Sequence, residues 1–161
     1  MEQNNKETEN RARTILVADD QAMILEFVSE VLKKSGYTVL AAQTGEEALM
    51  KSKTHPGEID LLLSNIQMPG MTGMELGKKI IQDRPAIKVV IMAGFRSGML
   101  VLDDSWHFLQ KPFIPSQLRE IVAGMLLLPP NPLLDGPPSP NLEEPRMGFL
   151  PARVKGASGE E

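Results

Sequence analysis

The feature that most constrains this chain is a regular alternation of two kinds of segment between residues 14 and 128. Short runs of aliphatic and β-branched residues occur at Thr14–Ala18 (TILVA), Tyr37–Ala42, Ile59–Ser64 (IDLLLS), Ile87–Met92 (IKVVIM) and Trp106–Gln110. Their length and composition predict strands. Between them lie stretches with helical spacing. Gln21–Ser35 sets Ile24, Phe27, Val28, Val31 and Leu32 on one face, and Gly36 supplies a stop. Thr44 with Glu47, and Thr72 with Glu75, are capping-box pairs that open two more helices. The first of these ends before His55-Pro56-Gly57, and the second runs to about Arg84, where Pro85 closes it. A last helix spans about Pro115–Leu128, with Leu118, Ile121, Val122, Met125 and Leu126 inward. Strands that alternate with helices imply a parallel sheet covered on both faces. Five strands at this size suit a doubly wound α/β fold with the flavodoxin-like order 2-1-3-4-5.

The flanks differ from this middle region. Residues 1–13 are polar and mixed in charge, as expected of a flexible arm. Residues 129–161 hold eight of the chain's thirteen prolines, which opposes both helix and sheet pairing and predicts a disordered tail. The chain of 161 residues has no cysteine, so disulfides, thiolate metal sites and thiol catalysis are excluded. Its formal net charge of -4 gives no bulk basic surface for nucleic acid. No apolar run is long enough to span a bilayer, and the N-terminus lacks a signal-peptide pattern. The expectation is a cytoplasmic protein that binds neither nucleic acid nor membrane. Ten methionines could suggest a plastic binding surface, but Met23, Met74, Met92 and Met125 fit core positions better.

Ligands in a doubly wound sheet sit beyond the carboxyl ends of the strands. Those ends carry Asp19-Asp20, Ser64-Asn65, Met92-Ala93 and Gln110-Lys111-Pro112. Two adjacent carboxylates at a strand end repel each other and are expected to face solvent. A hard cation such as Mg²⁺, or the Lys111 ammonium, would offset that charge. The alternative for Asp19-Asp20 is plain capping of the helix that follows. For Lys111 it is a solvated surface position.

The ordered segments LVADD, LLLSNIQMPGMTGMEL, VVIMAG and FLQKPF, spread over about residues 14–126, resemble the receiver domain of two-component response regulators. The resemblance implies phosphoryl transfer from a sensor kinase to an aspartate at the end of the third strand. It also implies Mg²⁺ held by acidic residues of the first and third strands, a hydroxyl after the fourth strand, a lysine before a proline and an aromatic switch in the fifth. Carried onto this chain, the phosphoacceptor position is Asn65, and the metal positions are Asp19, Asp20, Asn65 and the carbonyl of Gln67. The switch positions are Ala93 and Phe108, and Lys111 is the phosphate-contact lysine.

Two of these positions depart from the pattern. The Asn65 amide is neutral and its nitrogen lone pair is delocalised, so it is no nucleophile. Ala93 offers a phosphoryl group no hydrogen bond. The segment Gly94–Ser105 is also about a helical turn shorter than the family's, leaving only a weak helix former at Ser97–Leu102. The reading is a degenerate, single-domain receiver-like signalling protein, not an enzyme, with no catalytic residue. It is phosphorylation-independent, binds Mg²⁺ weakly, and has a sensor kinase or downstream effector as its protein partner. One alternative is a working receiver modified elsewhere, such as Ser64. A more distant one is a Mg²⁺-dependent phosphohydrolase, although such enzymes space their strand-one carboxylates as Asp-x-Asp.

Overall fold

A computed structural model describes residues 11–94 and 106–128. The expected helix at Ser97–Leu102, most of the N-terminal arm and the proline-rich tail lie outside them. Five strands, β1 (Thr14–Ala18), β2 (Thr38–Ala42), β3 (Leu61–Asn65), β4 (Lys88–Ala93) and β5 (His107–Gln110), form one parallel sheet in the order β2-β1-β3-β4-β5. This is the expected order. The described helices are α1 (Ala22–Lys34), α2 (Gly45–Thr54), α3 (Gly73–Asp83) and α4 (Pro115–Leu127).

The strands read as continuous apolar runs because the sheet is buried on both faces. Side chains alternate between two cores. Leu16, Ala18, Leu62 and Ile91 pack on one side with Ala48 of α2 and Leu76 and Ile80 of α3. Ile15, Val17, Leu61, Leu63, Val90 and Met92 pack on the other with Leu25, Val28 and Leu32 of α1 and Leu118, Val122 and Met125 of α4. Burying one such Leu or Ile stabilises the fold by about 1.5–3 kcal/mol. A helix cap contributes about 1 kcal/mol. The two cores therefore decide the architecture, and the caps only trim helix ends.

The caps behave largely as expected. Thr72 and Glu75 form the full reciprocal box. Thr44 accepts from the Glu47 amide, but the Glu47 carboxylate takes the amide of Gln43, not that of Thr44. The last helix has no side-chain cap at Ile114; instead the Gln117 side-chain oxygen accepts from the Ile114 amide at 3.0 Å. Gly36, at φ +97°, ends α1 in the left-handed conformation that glycine adopts freely.

Three expectations fail on α1 and β3. Met23 is 84% exposed and Phe27 39% exposed, so neither is core. Val28 and Leu32 are buried as expected, with Ile24 and Val31 partly buried against the same core, and Leu25 and Ser29 complete the inward face in place of Phe27. Phe27 instead meets Phe113, which follows β5, with ring centroids 6.2 Å apart. Strand β3 begins at Leu61 and not Ile59. Its approach is held by Asp60, whose carboxylate accepts from both guanidinium nitrogens of Arg11 (2.9 and 2.6 Å) and from the Thr14 amide (2.8 Å).

Two further contacts lie beyond periodicity. Arg84, just past α3, donates to the carbonyls of Ser52, His55 and Gly57 at 2.8–2.9 Å, tying the end of α2 to the end of α3. Gly77 lies against Trp106, whose ring a methyl group at position 77 would meet at 2.8 Å.

Two predictions follow from this packing. A Cβ at Gly73 would sit 2.3 Å from the backbone oxygen of Asn65, which no side-chain motion relieves. Gly73→Ala should cost about 1–3 kcal/mol in chemical denaturation, and an unchanged midpoint would disprove the contact. The second concerns Asp60. Burial pushes its carboxyl up, but hydrogen bonds from Arg11 and the Thr14 amide, with the Arg11 charge, outweigh this and hold it below the ordinary carboxylate value. A depressed pKa means stabilisation that is present above the unfolded value and lost as pH falls through the folded one. Asp60→Asn should therefore destabilise the chain by about 1–2 kcal/mol at neutral pH. The gap to wild type should close as pH drops below about 4. Unfolding curves that stay equally far apart down to acid pH would refute this.

Candidate functional site

The sheet brings the ends of β1, β3, β4 and β5 to one edge. Three backbone hydrogen bonds continue the ladder past the strands: Asp19 amide to Ala42 carbonyl (3.1 Å), Ile66 amide to Met92 carbonyl (2.9 Å), and Lys111 amide to Ala93 carbonyl (2.7 Å). These fix the frame on which the side chains stand.

Of the two adjacent carboxylates, only Asp20 faces solvent. Asp19 is fully buried, which corrects the expectation that both would be exposed. A buried carboxylate needs partners for its charge and its lone pairs. Asp19 has both: its Oδ2 accepts from Lys111 Nζ at 2.9 Å, and its Oδ1 from the Gln21 amide at 2.9 Å. Gln21, the residue before α1, makes no side-chain cap, and Asp19 does not reach the helix amides beyond it. Simple N-capping by Asp19 is thereby excluded. Lys111 is not a solvated surface lysine either; its side chain is 18% exposed.

Asn65 joins these charges. Its Oδ1 accepts from Lys111 Nζ at 3.0 Å. Its Nδ2 donates to Asp20 Oδ1 at 3.1 Å and to the Gln67 carbonyl at 2.8 Å. An ammonium can only donate, whereas a carboxylate and a carbonyl can only accept. All three contacts therefore select the same orientation of the amide. The nitrogen, not the oxygen, of Asn65 faces Asp20 and Gln67.

The remaining sequence-selected residues fall around this group. Ala93 is buried, and its carbonyl holds Lys111 in place. Phe108 is half-buried against the core on the α3 side. Ser64 is fully buried and donates to the Asn65 carbonyl oxygen. Its hydroxyl thus has no open approach, which weighs against its being an alternative acceptor. The site opens into a shallow cleft lined by Asp20, Gln21, Asn65, Gln67, Thr72 and Lys111, among others. Gly73 reads from the sequence, with Gly70 and Gly77, as a turn or packing glycine; its amide donates to the Ile66 carbonyl at 2.8 Å and closes the β3–α3 loop.

The oxygens available to a cation are the Asp19 and Asp20 carboxylates, the Asn65 amide oxygen and the Gln67 carbonyl. Among the described residues no three His, Cys, Asp or Glu side chains gather as a metal-holding group. Two carboxylates remain, one already paired with Lys111, and the amide oxygen points toward Lys111. The donor set as it stands does not fit a hard divalent cation well.

Comparison with known proteins agrees with this fold. The family model for the response regulator receiver domain matches residues 15–123. The chain is 32% identical over 123 residues to sporulation initiation phosphotransferase F of Bacillus subtilis, covering 73% of this chain and 96% of that protein. It is 32% identical over 119 residues to the response regulator receiver protein CpdR of Brucella abortus, covering 71% of this chain and 98% of the relative. Other curated relatives are longer: the chain spans 12% of the sensor kinase CckA of Brucella abortus and 48% of the response regulator GtcR of Aneurinibacillus migulanus. Among solved structures, the receiver domain protein (CheY-like) from Methanospirillum hungatei superimposes with a TM-score of 0.65 at 29% identity, over 72% of this chain and 94% of that one. The receiver domain of the hybrid histidine kinase CckA gives 0.62 at 32% identity, over 70% and 98%. No helix among the described residues is long and apolar enough to cross a membrane. With its strand order, its acid–lysine edge and these matches over most of the folded region, the chain belongs to the response regulator receiver domain family.

Proposed function

We propose that this chain is a receiver-type signalling module of a two-component system that works without an acyl phosphate. It acts through binding a protein partner, a sensor kinase or a downstream effector, and is not an enzyme. The observation that carries the proposal is the amide at the end of β3. Asn65 stands at the phosphoacceptor position, and its side chain is engaged on both sides. Acyl-phosphate formation needs a carboxylate oxygen as nucleophile. An amide has no ionised form near neutral pH, and here its oxygen already accepts from Lys111. Ala93 adds a second loss, since its methyl group offers the phosphoryl oxygens no donor. Asp19 and Lys111 pair across the strand ends whether or not a phosphoryl group arrives. The same reading makes any Mg²⁺ binding through Asp19, Asp20, Asn65 and Gln67 too weak to populate at millimolar ion, because the third carboxylate is gone and the Asn65 amide already spans Asp20 and Gln67.

Incubation with acetyl phosphate and Mg²⁺, followed by intact-mass measurement, should leave the wild-type mass unchanged, while Asn65→Asp should gain a phosphoryl group. A phosphoryl group on the wild-type chain, at any residue, would overturn the proposal.

Restoring the nucleophile alone should not restore a switch, because the active state still lacks one hydrogen-bond donor at position 93. The phosphodonor-induced NMR shift changes around Phe108 and α4 should be small for Asn65→Asp and small for Ala93→Thr. The double variant should exceed their sum, with a coupling on the order of 0.5–3 kcal/mol, since both groups would contact the same phosphoryl oxygens. A full response from Asn65→Asp alone would show that Ala93 is no lesion.

A further inference from the structure

We infer that the side-chain amino group of Asn65 serves as this chain's built-in substitute for the divalent cation. The acidic edge is thereby held closed and made indifferent to Mg²⁺. The inference rests on the receiver reading proposed above and concerns how the same site is regulated.

The geometry supports the inference at each contact. The Nδ2 group lies between the Asp20 carboxylate (3.1 Å) and the Gln67 carbonyl (2.8 Å). These are two of the oxygens that the family resemblance assigns to the metal. A cation there would draw the two oxygens together by charge; the polarised N–H bonds do so by hydrogen bonding. The other end of the amide accepts from Lys111, which also neutralises buried Asp19. One neutral side chain thus supplies donors to an acidic corner and an acceptor to a cationic one.

Mg²⁺ would have to turn the amide around or push it aside. Turning it points the N–H bonds at the Lys111 ammonium, so a good contact becomes donor against donor. Pushing it aside leaves Lys111 with only Asp19. Either route loses hydrogen bonds that the ion must replace, so the amide competes with the metal for the same two oxygens.

A carboxylate at position 65 reverses the situation. Its oxygens would face the Asp20 carboxylate and the Gln67 carbonyl at distances now spanned by hydrogen bonds, and like would oppose like. Four acceptor groups would share one ammonium. The edge would then need a cation to close, and stability would follow the ion concentration by mass action.

The test is thermal unfolding of the full chain and of Asn65→Asp, each in chelator and in millimolar Mg²⁺. Wild type should melt at the same temperature in both. Asn65→Asp should melt about 5 °C or more lower than wild type in chelator, and should recover most of that difference with Mg²⁺. A wild-type midpoint that rises with Mg²⁺ as far as the variant's would overturn the inference. So would a variant as stable as wild type in chelator. Should Asn65→Asp fail to fold in either condition, the Asn65 side-chain NH₂ resonances of the wild type decide. They should be unshifted by millimolar Mg²⁺, and a shift that tracks the ion would refute the substitution. These readouts use no phosphodonor. A wild type that gains a phosphoryl group would sink the proposed function and leave the melting result standing, and the reverse also holds.

Discussion

The structure turns on the contact between Lys111 and Asp19. Asp19 is fully buried where β1 ends, and Lys111 reaches it from the end of β5 across the intervening strands. A buried carboxylate without a partner is costly; removing one member of such a pair typically costs about 3–5 kcal/mol. The pair therefore does more than decorate a cleft. It fixes where the β5–α4 connection lies relative to β1, and with it the position of Phe113 against Phe27 on α1. Everything else at the edge is arranged around an ammonium that is already committed.

That commitment gives the acidic edge a structural role beside Asn65, whatever chemistry the site performs. Asp19 would be needed for folding even in a chain that never met a phosphoryl group. Asp20 is the freer of the two, exposed and held only through Asn65. One aspartate thus lies open to solvent and the other carries the buried ion pair, although the two are neighbours in sequence.

The architecture was legible because its signal is redundant. Each strand contributes to two cores, so each reads as an unbroken apolar run, and the helices between them carry an independent period. The convergence of Asp19, Asp20, Asn65 and Lys111 followed from the fold alone. What sequence could not give was the burial of single side chains. On α1 the expected Val28 and Leu32 are core, but Leu25 takes the place periodicity gives to Phe27, because the two lie on either side of the same stripe. Met23 looked like core by residue type and is not. The adjacent aspartates look equivalent as letters, yet the pleat sends one into the sheet edge and the other out. The direction of the Asn65 amide depends on which neighbours donate and which accept, and that is knowable only once they are in place. Trp106 against Gly77 and Arg84 on three carbonyls are contacts between distant segments, and no local pattern announces them.

The backbone bonds that extend the ladder past β3 and β5 have a consequence of their own. Ile66 is tied to Met92, and Lys111 to Ala93, through main-chain atoms only. The spacing between residues 65, 93 and 111 is therefore independent of what those residues carry. The main-chain ladder is thus a frame distinct from its fittings: which side chains stand at 65, 93 and 111 decides what ions and donors the edge needs, while the ladder bonds themselves use no side-chain atom. Side chains at such an edge can therefore differ one at a time while the main-chain bonds that join the strand ends stay the same.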